Sequence, residues 1–503
     1  MLFNSYIFIF LFLPLALLGY FLLNKRKRYE LAKYYLVGMS LWFYAYFNVS
    51  YLWIILASIL VNYVCHLRMT ALTSQGKRTS DLWFGLGIFF NIGLLFYFKY
   101  YDFFVENINA LFHVSFTLKN IILPLGISFF TFQQIAFLVD VRRGDAEPQT
   151  ASDYMLFVSF FPQLIAGPIV SHREMLPQFK DPELKSPNYR NLYTGFCIFV
   201  IGLAKKILLA DVFGQAVEWG YKYSHLLSGF STALVIVFYA LQIYFDFSGY
   251  CDMAVGIGYL FNLRIPVNFI SPYRAENILD FWNRWHITLT RFFTGYLYIP
   301  LGGNRRGKLR TYLNILIVFL VSGIWHGAGY TFIIWGLLHG VMNIVTRFFH
   351  EVKKRFTFME REPAILRKLQ KVLAVAVTFI AVSIAWVFFR ADSVVQALSV
   401  IRSLSHLQEP GVYSELSSFF SLQTVGYVFK ILHMEDLAFV PYFPMVCYCL
   451  ISIWLIWGRK EEPGMGELPR LKPTILNCVL YCALFLWCLF SFSGVSIFLY
   501  FNF

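Results

Sequence analysis

The chain has 503 residues, of which 58% are hydrophobic and only 14% charged, and its mean hydropathy is +0.60. A soluble protein usually carries about 25% charged residues because its surface faces water, so the composition indicates an integral membrane protein and excludes a cytosolic globular enzyme or a disordered protein. The formal charge of +14 comes from Lys and Arg clusters between apolar stretches, which is typical of cytoplasmic loops rather than of a nucleic-acid-binding face.

Apolar stretches recur along the whole chain. They cover 1–23, 31–48, 50–67, 82–100, 120–139, 154–170, 192–213, 229–247, 311–324, 328–348, 372–389, 440–457 and 474–493. About 20 apolar residues of helix cross a bilayer core. Pro124 with Gly126, and Gly167 with Pro168, interrupt two of the stretches, which predicts broken or re-entrant helices. We predict an all-α polytopic membrane protein with about a dozen transmembrane or re-entrant helices, in a single membrane domain over residues 1–503.

The charged segments also predict an orientation. Residues 1–23 carry no charge and are followed by Lys25, Arg26, Lys27 and Arg28, so we expect an uncleaved first helix that starts outside the cytoplasm. The basic loop 458–473 is placed inside, and the last helix then brings the C-terminus outside. The eight Cys show neither a C-x-x-C pair nor zinc-ligand spacing, and no metal site is predicted.

The segment 281–293, F-W-N-R-W-H-I-T-L-T-R-F-F, predicts one helix with a polar stripe. At about 100° per residue, Trp282, His286 and Thr290 share one face, and Arg284 lies beside it. Such a helix suits a membrane interface or a position that dips into the protein. His286 is therefore a candidate site residue. The alternative is an aromatic anchor that carries a hydrogen-bonded histidine.

His326 lies in G-I-W-H-G-A-G, within otherwise apolar sequence. An ionisable side chain at membrane depth is costly and usually faces a functional cavity. Burial favours the neutral imidazole, so His326 is a candidate general base; the alternative is a buried histidine bonded to a backbone carbonyl. On a continuous helix, the ring of His339 would point about 140° away from that of His326. We therefore predict a structural role for His339.

Two acidic residues, Asp246 and Asp252, lie in the apolar segment Y-F-D-F-S-G-Y-C-D and need partners. We expect them to orient a histidine or to form ion pairs with Arg264, Arg274 or Arg284. An ion pair of purely structural importance is the more common outcome for such groups.

The sequence Gly302-Gly303-Asn304-Arg305-Arg306 is a glycine turn followed by cations. Such a loop suits the phosphates of a nucleotide-containing donor. The alternative is an ordinary basic loop on the cytoplasmic side. Sequence signatures of the common soluble enzyme classes, such as G-x-G-x-x-G, G-x-S-x-G and H-E-x-x-H, do not occur in the chain.

Six motifs together give a resemblance to a known family. They are M-L-F-N-S-Y-I-F-I-F-L-F-L-P at the start, P-Q-L-I-A-G-P-I (162–169), Y-F-D-F-S-G-Y-C-D-M-A-V-G (244–256), F-W-N-R-W-H-I-T-L (281–289), Y-I-P-L-G-G-N-R-R-G (298–307) and G-I-W-H-G-A (323–328). In this order and spacing, the chain resembles the membrane-bound O-acyltransferase (MBOAT) superfamily. Within it, the similarity is to the bacterial branch that O-acetylates extracellular polysaccharides such as alginate, peptidoglycan and cellulose.

The resemblance implies a central cavity reached from both sides, with His326 at the family's essential histidine and His286 in its second histidine motif. It implies that acetyl-CoA enters from the cytoplasm. The acetyl group then crosses the bacterial inner membrane inside the protein and reaches an extracytoplasmic SGNH-type partner protein that acetylates the polymer. The candidates for binding acetyl-CoA are Arg284, Arg305, Arg306 and Trp325.

The last residues, 490–503, read F-S-F-S-G-V-S-I-F-L-Y-F-N-F and predict an aromatic tail at the extracytoplasmic face. The tail is similar to the terminal motif of a small membrane partner in D-alanyl transfer to teichoic acids, although the spacing from Ser493 to Phe498 differs by one residue. We expect Tyr500 to accept the acetyl group, with His326 as the base. The alternative is an aromatic belt at a helix end.

Two other functions remain open from the sequence. One is acyl transfer to a lipid or protein acceptor, as in other branches of the superfamily. The other is a transporter or flippase that uses the broken helices as a substrate path, which leaves the W-H-G-A motif unexplained.

Overall fold

A computed structural model describes the chain except for residues 73–76, 356–362, 407–412, 422–428, 434–436, 438, 459–471, 493–497 and 500–503. All regular structure in the described residues is helical, which confirms the all-α class. Tyr500, Ser493 and most of the basic loop 458–473 lie outside the described residues.

The helices follow one another through short connections. The first nine are α1 Leu13–Lys25, α2 Tyr29–Ala45, α3 Ser50–Leu72, α4 Lys77–Leu95, α5 Tyr101–Phe112, α6 Ile127–Arg143, α7 Ala151–Ser159, α8 Phe161–Leu164 and α9 His172–Lys180. The next nine are α10 Tyr189–Ala204, α11 Asp211–Lys222, α12 Gly229–Leu260, α13 Ile278–Arg284, α14 Ile287–Phe293, α15 Lys308–His326, α16 Tyr330–Arg355, α17 Ala364–Arg390 and α18 Val394–Ser403. They are followed by α19 Tyr413–Ser418, α20 Phe443–Trp457 and α21 Ile475–Phe490. Short π-helical turns, Phe96–Tyr100 and Lys205–Ala210, join α4 to α5 and α10 to α11.

Within the described residues, eight segments are long and apolar enough to cross a membrane, which makes the chain a multi-pass membrane protein. They are Phe8–Lys25, Ser50–Ala71, Thr79–Phe112, Gly229–Leu260, Lys308–His326, Tyr330–Lys353, Ala364–Arg390 and Val440–Trp457. The remaining predicted stretches form shorter or interrupted helices. In the stretch 154–170, α7 is followed only by the one-turn α8, and α6 begins after Gly126, whose φ is +71°. The predicted helix breaks at these two places are confirmed.

Glycines bring α10 and α12 into close contact. A Cβ atom at Gly202 would lie 2.5 Å from the carbonyl oxygen of Gly249, and one at Gly195 would lie 2.6 Å from that of Gly256. Gly195 faces Gly256, and Gly202, further along α10, faces Gly249, which comes earlier in α12. The two helices are therefore antiparallel. Small residues allow membrane helices to approach this closely, and the gain is van der Waals contact.

Buried charges lie beside this helix pair. Lys206 Nζ lies 2.7 Å from Asp246 Oδ1, and Lys205 Nζ lies 2.7 Å from Asp252 Oδ2. The predicted ion pairs are therefore present. For Asp246, however, the predicted arginine partners are wrong, because a lysine of the π-helical turn after α10 supplies the charge. The turn lies next to α12 only in the folded chain, so the local sequence gave no indication of it.

The C-terminal tail reaches the same charges. The backbone N–H of Leu499 donates to Asp246 Oδ2 at 2.9 Å. The ring of Phe498 is only 1% exposed, and it packs edge-on against Tyr250 at 4.8 Å, with Lys206 Nζ at 4.5 Å from its centroid. Residues 498–499 are therefore part of the protein core.

The glycine contacts predict that alanine destabilises the protein at Gly202 but not at Gly38. We expect Gly202→Ala to lower the free energy of unfolding by about 1–3 kcal/mol, because the new Cβ atom overlaps backbone atoms of α12 that cannot move independently. The matched control is Gly38→Ala, where no atom lies within 4 Å of the new Cβ, and alanine there is expected to be neutral or slightly stabilising. Thermal unfolding of the purified variants in one detergent measures the difference. Equal melting temperatures would contradict the packing described for α10 and α12.

Candidate active site

The ring of His326, the last residue of α15, is enclosed by aromatic side chains. The residue is 4% exposed, and its ring centroid lies 4.8 Å from Trp325, 4.9 Å from Trp335 and 5.2 Å from Phe389. Each of the three contacts is edge-to-face, an arrangement that aromatic rings prefer. The expected burial of this histidine is confirmed.

A lysine from another helix holds the end of α15. Lys99 Nζ donates to the carbonyl oxygens of Trp325, at 2.5 Å, and His326, at 3.1 Å, and the hydroxyl of Tyr100 donates to the carbonyl of Ile324 at 2.9 Å. The last carbonyl groups of a helix have no intrahelical donor, so these contacts satisfy them. The sequence analysis missed Lys99, although a single charge inside the apolar stretch 82–100 is a signal for such a role.

Glycines around His326 allow α15 and α16 to touch. A Cβ atom at Gly323 would lie 2.4 Å from the carbonyl oxygen of Phe332, and one at Gly336 would lie 2.3 Å from that of Phe319. Any larger residue at either position would push the two helices apart. The glycines of the G-I-W-H-G motif therefore set the depth to which His326 enters the aromatic core.

The prediction of one helix over 281–293 is wrong, because the helix breaks at His286. That residue has a φ of +45°, between α13 and α14. Two backbone hydrogen bonds clamp the break to the preceding loop, from Ile287 N to the carbonyl of Asn268 at 3.1 Å and from Ile270 N to the carbonyl of Arg284 at 3.0 Å. Non-glycine residues seldom adopt a positive φ, so these long-range contacts override the local helical pattern.

Asn268 fixes the orientation of His286. Its Oδ1 accepts hydrogen bonds from Thr288 N at 3.1 Å and Thr288 Oγ1 at 3.0 Å, and it lies 3.2 Å from His286 Nδ1. Because a backbone N–H can only donate, the atom that faces it must be the amide oxygen. His286 Nδ1 must then carry the proton, and the neutral ring has its lone pair on Nε2. Burial lowers the pKa of His286 to about 3, so the ring is uncharged at neutral pH.

His339 lies on α16, not on the helix of His326 as the angular comparison assumed, so that comparison is wrong. Trp335 packs between the two histidines, 4.9 Å from each ring. Trp282 Nε1 donates to His339 Nδ1 at 3.3 Å. An indole N–H can only donate, so the neutral His339 carries its proton on Nε2. His339 is therefore part of the same aromatic cluster as His326, a proximity that the angular comparison did not predict.

The two candidate histidines both lie next to Trp325. The ring of Trp325 is 6.5 Å from that of His286 and 4.8 Å from that of His326, and it stacks on Phe132 at 5.0 Å. Both histidine motifs thus meet in one buried site, although they lie forty residues apart in the sequence.

The predicted donor-binding arginines lie at two other places. Arg284 is half-buried, with its Nε 2.7 Å from Asp280 Oδ1 and its Nη1 donating to the carbonyl of Ile270 at 3.2 Å. Arg305 and Arg306 are exposed in the turn after α14. The predicted glycine turn is confirmed, because Gly302 and Gly303 have φ values of +103° and +53°.

A cavity of about 380 Å³ lies among α13, α14, α15 and α16. At one end it is lined by Tyr298, whose carbonyl accepts from Gly303 N of the glycine turn at 2.9 Å, and by Arg347. At the other end it is lined by Ser322, which lies one turn, about 6 Å, before His326 on α15. Its walls also include Trp282, Asn283, Leu289, Thr290, Phe319 and Asn343. The cavity therefore runs beside the last turns of α15, and neither His286 nor His326 is among these lining residues.

Comparison with known proteins relates this site to an enzyme family. A sequence model described as MBOAT, membrane-bound O-acyltransferase family, matches residues 5–387. A peptidoglycan O-acetyltransferase from Helicobacter pylori is 42% identical, over 100% of this chain and 98% of that protein. A protein from Azotobacter vinelandii named as a probable alginate O-acetylase is 38% identical, over 78% of this chain and 76% of its own. The teichoic acid D-alanyltransferase of Bacillus subtilis is 28% identical over 52% of this chain and 67% of its own.

The hydrogen bonds predict opposite tautomers for two buried histidines. We expect His286 to carry its proton on Nδ1 and His339 on Nε2, because Asn268 accepts from the first ring and Trp282 donates to the second. Nitrogen-15 NMR of protein with labelled histidine measures both, with His286→Gln and His339→Gln assigning the signals. The signal of His286 should remain that of a neutral ring from pH 8 to pH 5, well above its pKa of about 3. The same tautomer for both rings would contradict the network.

Proposed function

The chain belongs to the membrane-bound O-acyltransferase family, and we propose that it takes an acetyl group from cytoplasmic acetyl-CoA and passes it across the membrane for O-acetylation of an extracytoplasmic polysaccharide. O-acyltransfer is the activity of the family. Acetyl-CoA as the donor, the roles of individual residues and the extracytoplasmic partner are parts of the proposal.

The observation that carries the proposal is the position of His326. Its imidazole is buried among aromatic rings at the end of α15, one turn beyond a cavity that begins near a basic turn. A base in this position is shielded from water, which would otherwise hydrolyse a thioester. Trp335 contacts both Trp282, a wall of the cavity, and the ring of His326. Trp335 therefore links the wall of the cavity to the proposed base.

The chemistry requires one base and no metal. His326 takes the proton from a hydroxyl group of the acceptor, and the hydroxyl oxygen attacks the carbonyl carbon of the thioester. The carbon–sulfur bond then breaks, and the imidazolium returns the proton to the thiolate of CoA. We assign His286 to the same site, where Asn268 keeps its Nε2 able to accept a proton. Trp325 lies next to both rings and forms part of the wall around the thioester.

The size of the cavity suits the narrow part of the donor. A volume of about 380 Å³ is at the small end of ligand sites, which measure about 300–1,000 Å³. It suits the acetylated pantetheine arm better than the whole of acetyl-CoA, and the nucleotide would then remain at the cavity mouth. There Arg305 and Arg306 are exposed to meet phosphate groups, and Arg347 lines the cavity close by. Arg284, which is bound to Asp280, would act by shaping the loop rather than by direct contact.

The acceptor side of the proposal rests on the relatives. The Helicobacter pylori relative covers the whole chain and is named for peptidoglycan, and the next relatives are named for alginate. We therefore favour a cell-envelope polysaccharide, reached through an extracytoplasmic SGNH-type partner protein. Tyr500 would receive the acetyl group first, because its neighbour Leu499 is anchored at Asp246 in the core. The proposal also includes a location in a bacterial inner membrane, with both termini outside the cytoplasm.

Two other functions have less support. Acyl transfer to a lipid or a protein would use the same base, and the names of the relatives favour a polysaccharide over either. A transporter or flippase would need no base beside the cavity. The membership of an acyltransferase family favours the enzyme.

Replacing His326 tests the chemistry. With purified protein in nanodiscs and acetyl-CoA labelled in the acetyl group, we expect His326→Ala to release CoA about 10²–10⁴-fold more slowly than the wild type, because the base is lost. The matched control is His350→Ala, an exposed histidine towards the end of α16, which should keep the wild-type rate.

Equal rates for His326→Ala and the wild type would reject His326 as the base. In the same experiment, mass spectrometry of the C-terminal peptide should detect an acetyl group on Tyr500 in the wild type. A peptide that stays unmodified while CoA is released would contradict the role of Tyr500 alone.

Replacing the arginines of the basic turn tests the position of the nucleotide. We expect Arg305→Gln combined with Arg306→Gln to raise KM for acetyl-CoA about tenfold with little change in kcat, because charge-assisted hydrogen bonds to the phosphates are lost. The KM for acetyl-pantetheine, which lacks the nucleotide, should not change. Arg402→Gln, on the exposed side of α18, is the control. An equal rise in KM for both donors would contradict the arrangement.

A further inference from the structure

A groove beside α1 lies apart from the candidate active site. It has a volume of about 710 Å³, and its lining includes Leu18, Phe21, Leu22, Lys25, Lys185 and Leu192. Leu18 and Leu22 are 59% and 48% exposed, and they lie in the segment Phe8–Lys25, which is apolar enough to cross a membrane. Exposed leucines on such a segment face lipid, so the groove opens towards the bilayer.

Lys185 places a buried cation at this groove. It is 7% exposed, and its amino group donates to the carbonyl oxygen of Phe179 at 2.5 Å. An ammonium group has three donors, and within the described part of the chain no carboxylate lies within 4.0 Å of it. Burying a charge is costly unless an opposite charge compensates it. Burial correspondingly lowers the pKa of Lys185 to about 8.

Three carboxylates act on Lys185 from beyond ion-pair distance: Asp181, which accepts from the N–H of Glu183 at 2.9 Å, and Asp153 and Glu30, which share a lysine. Lys33 Nζ lies 2.7 Å from Glu30 Oε1 and 2.7 Å from Asp153 Oδ1. Four further cations, Lys25 to Arg28, follow at the end of α1 and are exposed. The end of the groove therefore has an excess of positive charge, while its walls are apolar.

We propose that the groove binds an anionic diacyl phospholipid, with an acyl chain along α1 and the phosphate on Lys185 and Lys25. An acyl chain fits apolar walls that open to the bilayer, and a phosphate supplies the negative charge that Lys185 lacks. Basic residues at the end of a membrane helix attract anionic lipids in the same way. Free inorganic phosphate would satisfy the lysines but would leave the apolar walls of the groove uncovered.

The test compares lipid compositions with purified full-length protein. We would measure melting temperatures in nanodiscs of phosphatidylcholine alone and of phosphatidylcholine with an equal amount of phosphatidylglycerol. Native mass spectrometry would count the lipids retained. The variants are Lys185→Met, which keeps the length of the side chain without its charge, and Lys25→Gln at an exposed position. Lys368→Gln, an exposed lysine on α17, is the matched control.

We expect phosphatidylglycerol to raise the melting temperature of the wild type and of Lys368→Gln. The melting temperature of Lys185→Met should be the same in both lipid compositions. Lys25→Gln should fold normally and retain phosphatidylglycerol about tenfold less tightly, because one charge-assisted contact is lost. In phosphatidylcholine alone, Lys185→Met should be at least as stable as the wild type, since a buried uncompensated charge is removed.

Three results would overturn the proposal. The first is an equal melting temperature of the wild type in both lipid compositions. The second is an equal loss of stability by Lys185→Met in both compositions, as expected if Lys185 served only to bind the carbonyl of Phe179. The third is a rise in melting temperature with inorganic phosphate in phosphatidylcholine nanodiscs that is as large as the rise with phosphatidylglycerol. The ligand would then not be a lipid.

Discussion

The amino group of Lys99 holds the end of α15, and the position of His326 depends on that contact. A helix ends with carbonyl groups that lack intrahelical donors, and an apolar interior has no water to satisfy them. Lys99 donates to the last two carbonyls of α15. The helix can therefore stop inside the aromatic core, and the chain can turn into α16 through glycines. The base of the proposed reaction thus depends on a cation more than two hundred residues earlier in the chain.

Apolarity and the local motifs predicted much of the fold. The all-α class followed from composition, and most of the long spans followed from uninterrupted apolar stretches. The breaks after Pro124 and near Gly167 followed from residues that helices exclude. The burial of His326 also followed from the apolar residues around it. Each of these features depends on side chains within a few residues of one another, which a sequence displays directly.

The errors concern contacts between distant segments. The helix over 281–293 has an unbroken amphipathic pattern, and it breaks at His286 because the loop around Asn268 bonds to both sides of the break. Asp246 pairs with Lys206 because α10 and α12 meet through glycines, a contact that neither segment encodes alone. Periodicity carries no information on which helix lies next to which. The assumed common helix of His326 and His339 failed because the glycines after His326 end α15.

The anchoring of Leu499 at Asp246 has a consequence for biogenesis. Translation inserts helices into the membrane in chain order, so the eight apolar segments leave the ribosome before residues 498–499 do. Until then, Asp246 Oδ2 has no backbone donor and the place of Phe498 beside Tyr250 is vacant. The core is therefore completed only after residues 498–499 have been made, and a chain that terminates before them would present a defect that membrane quality-control proteases can recognise.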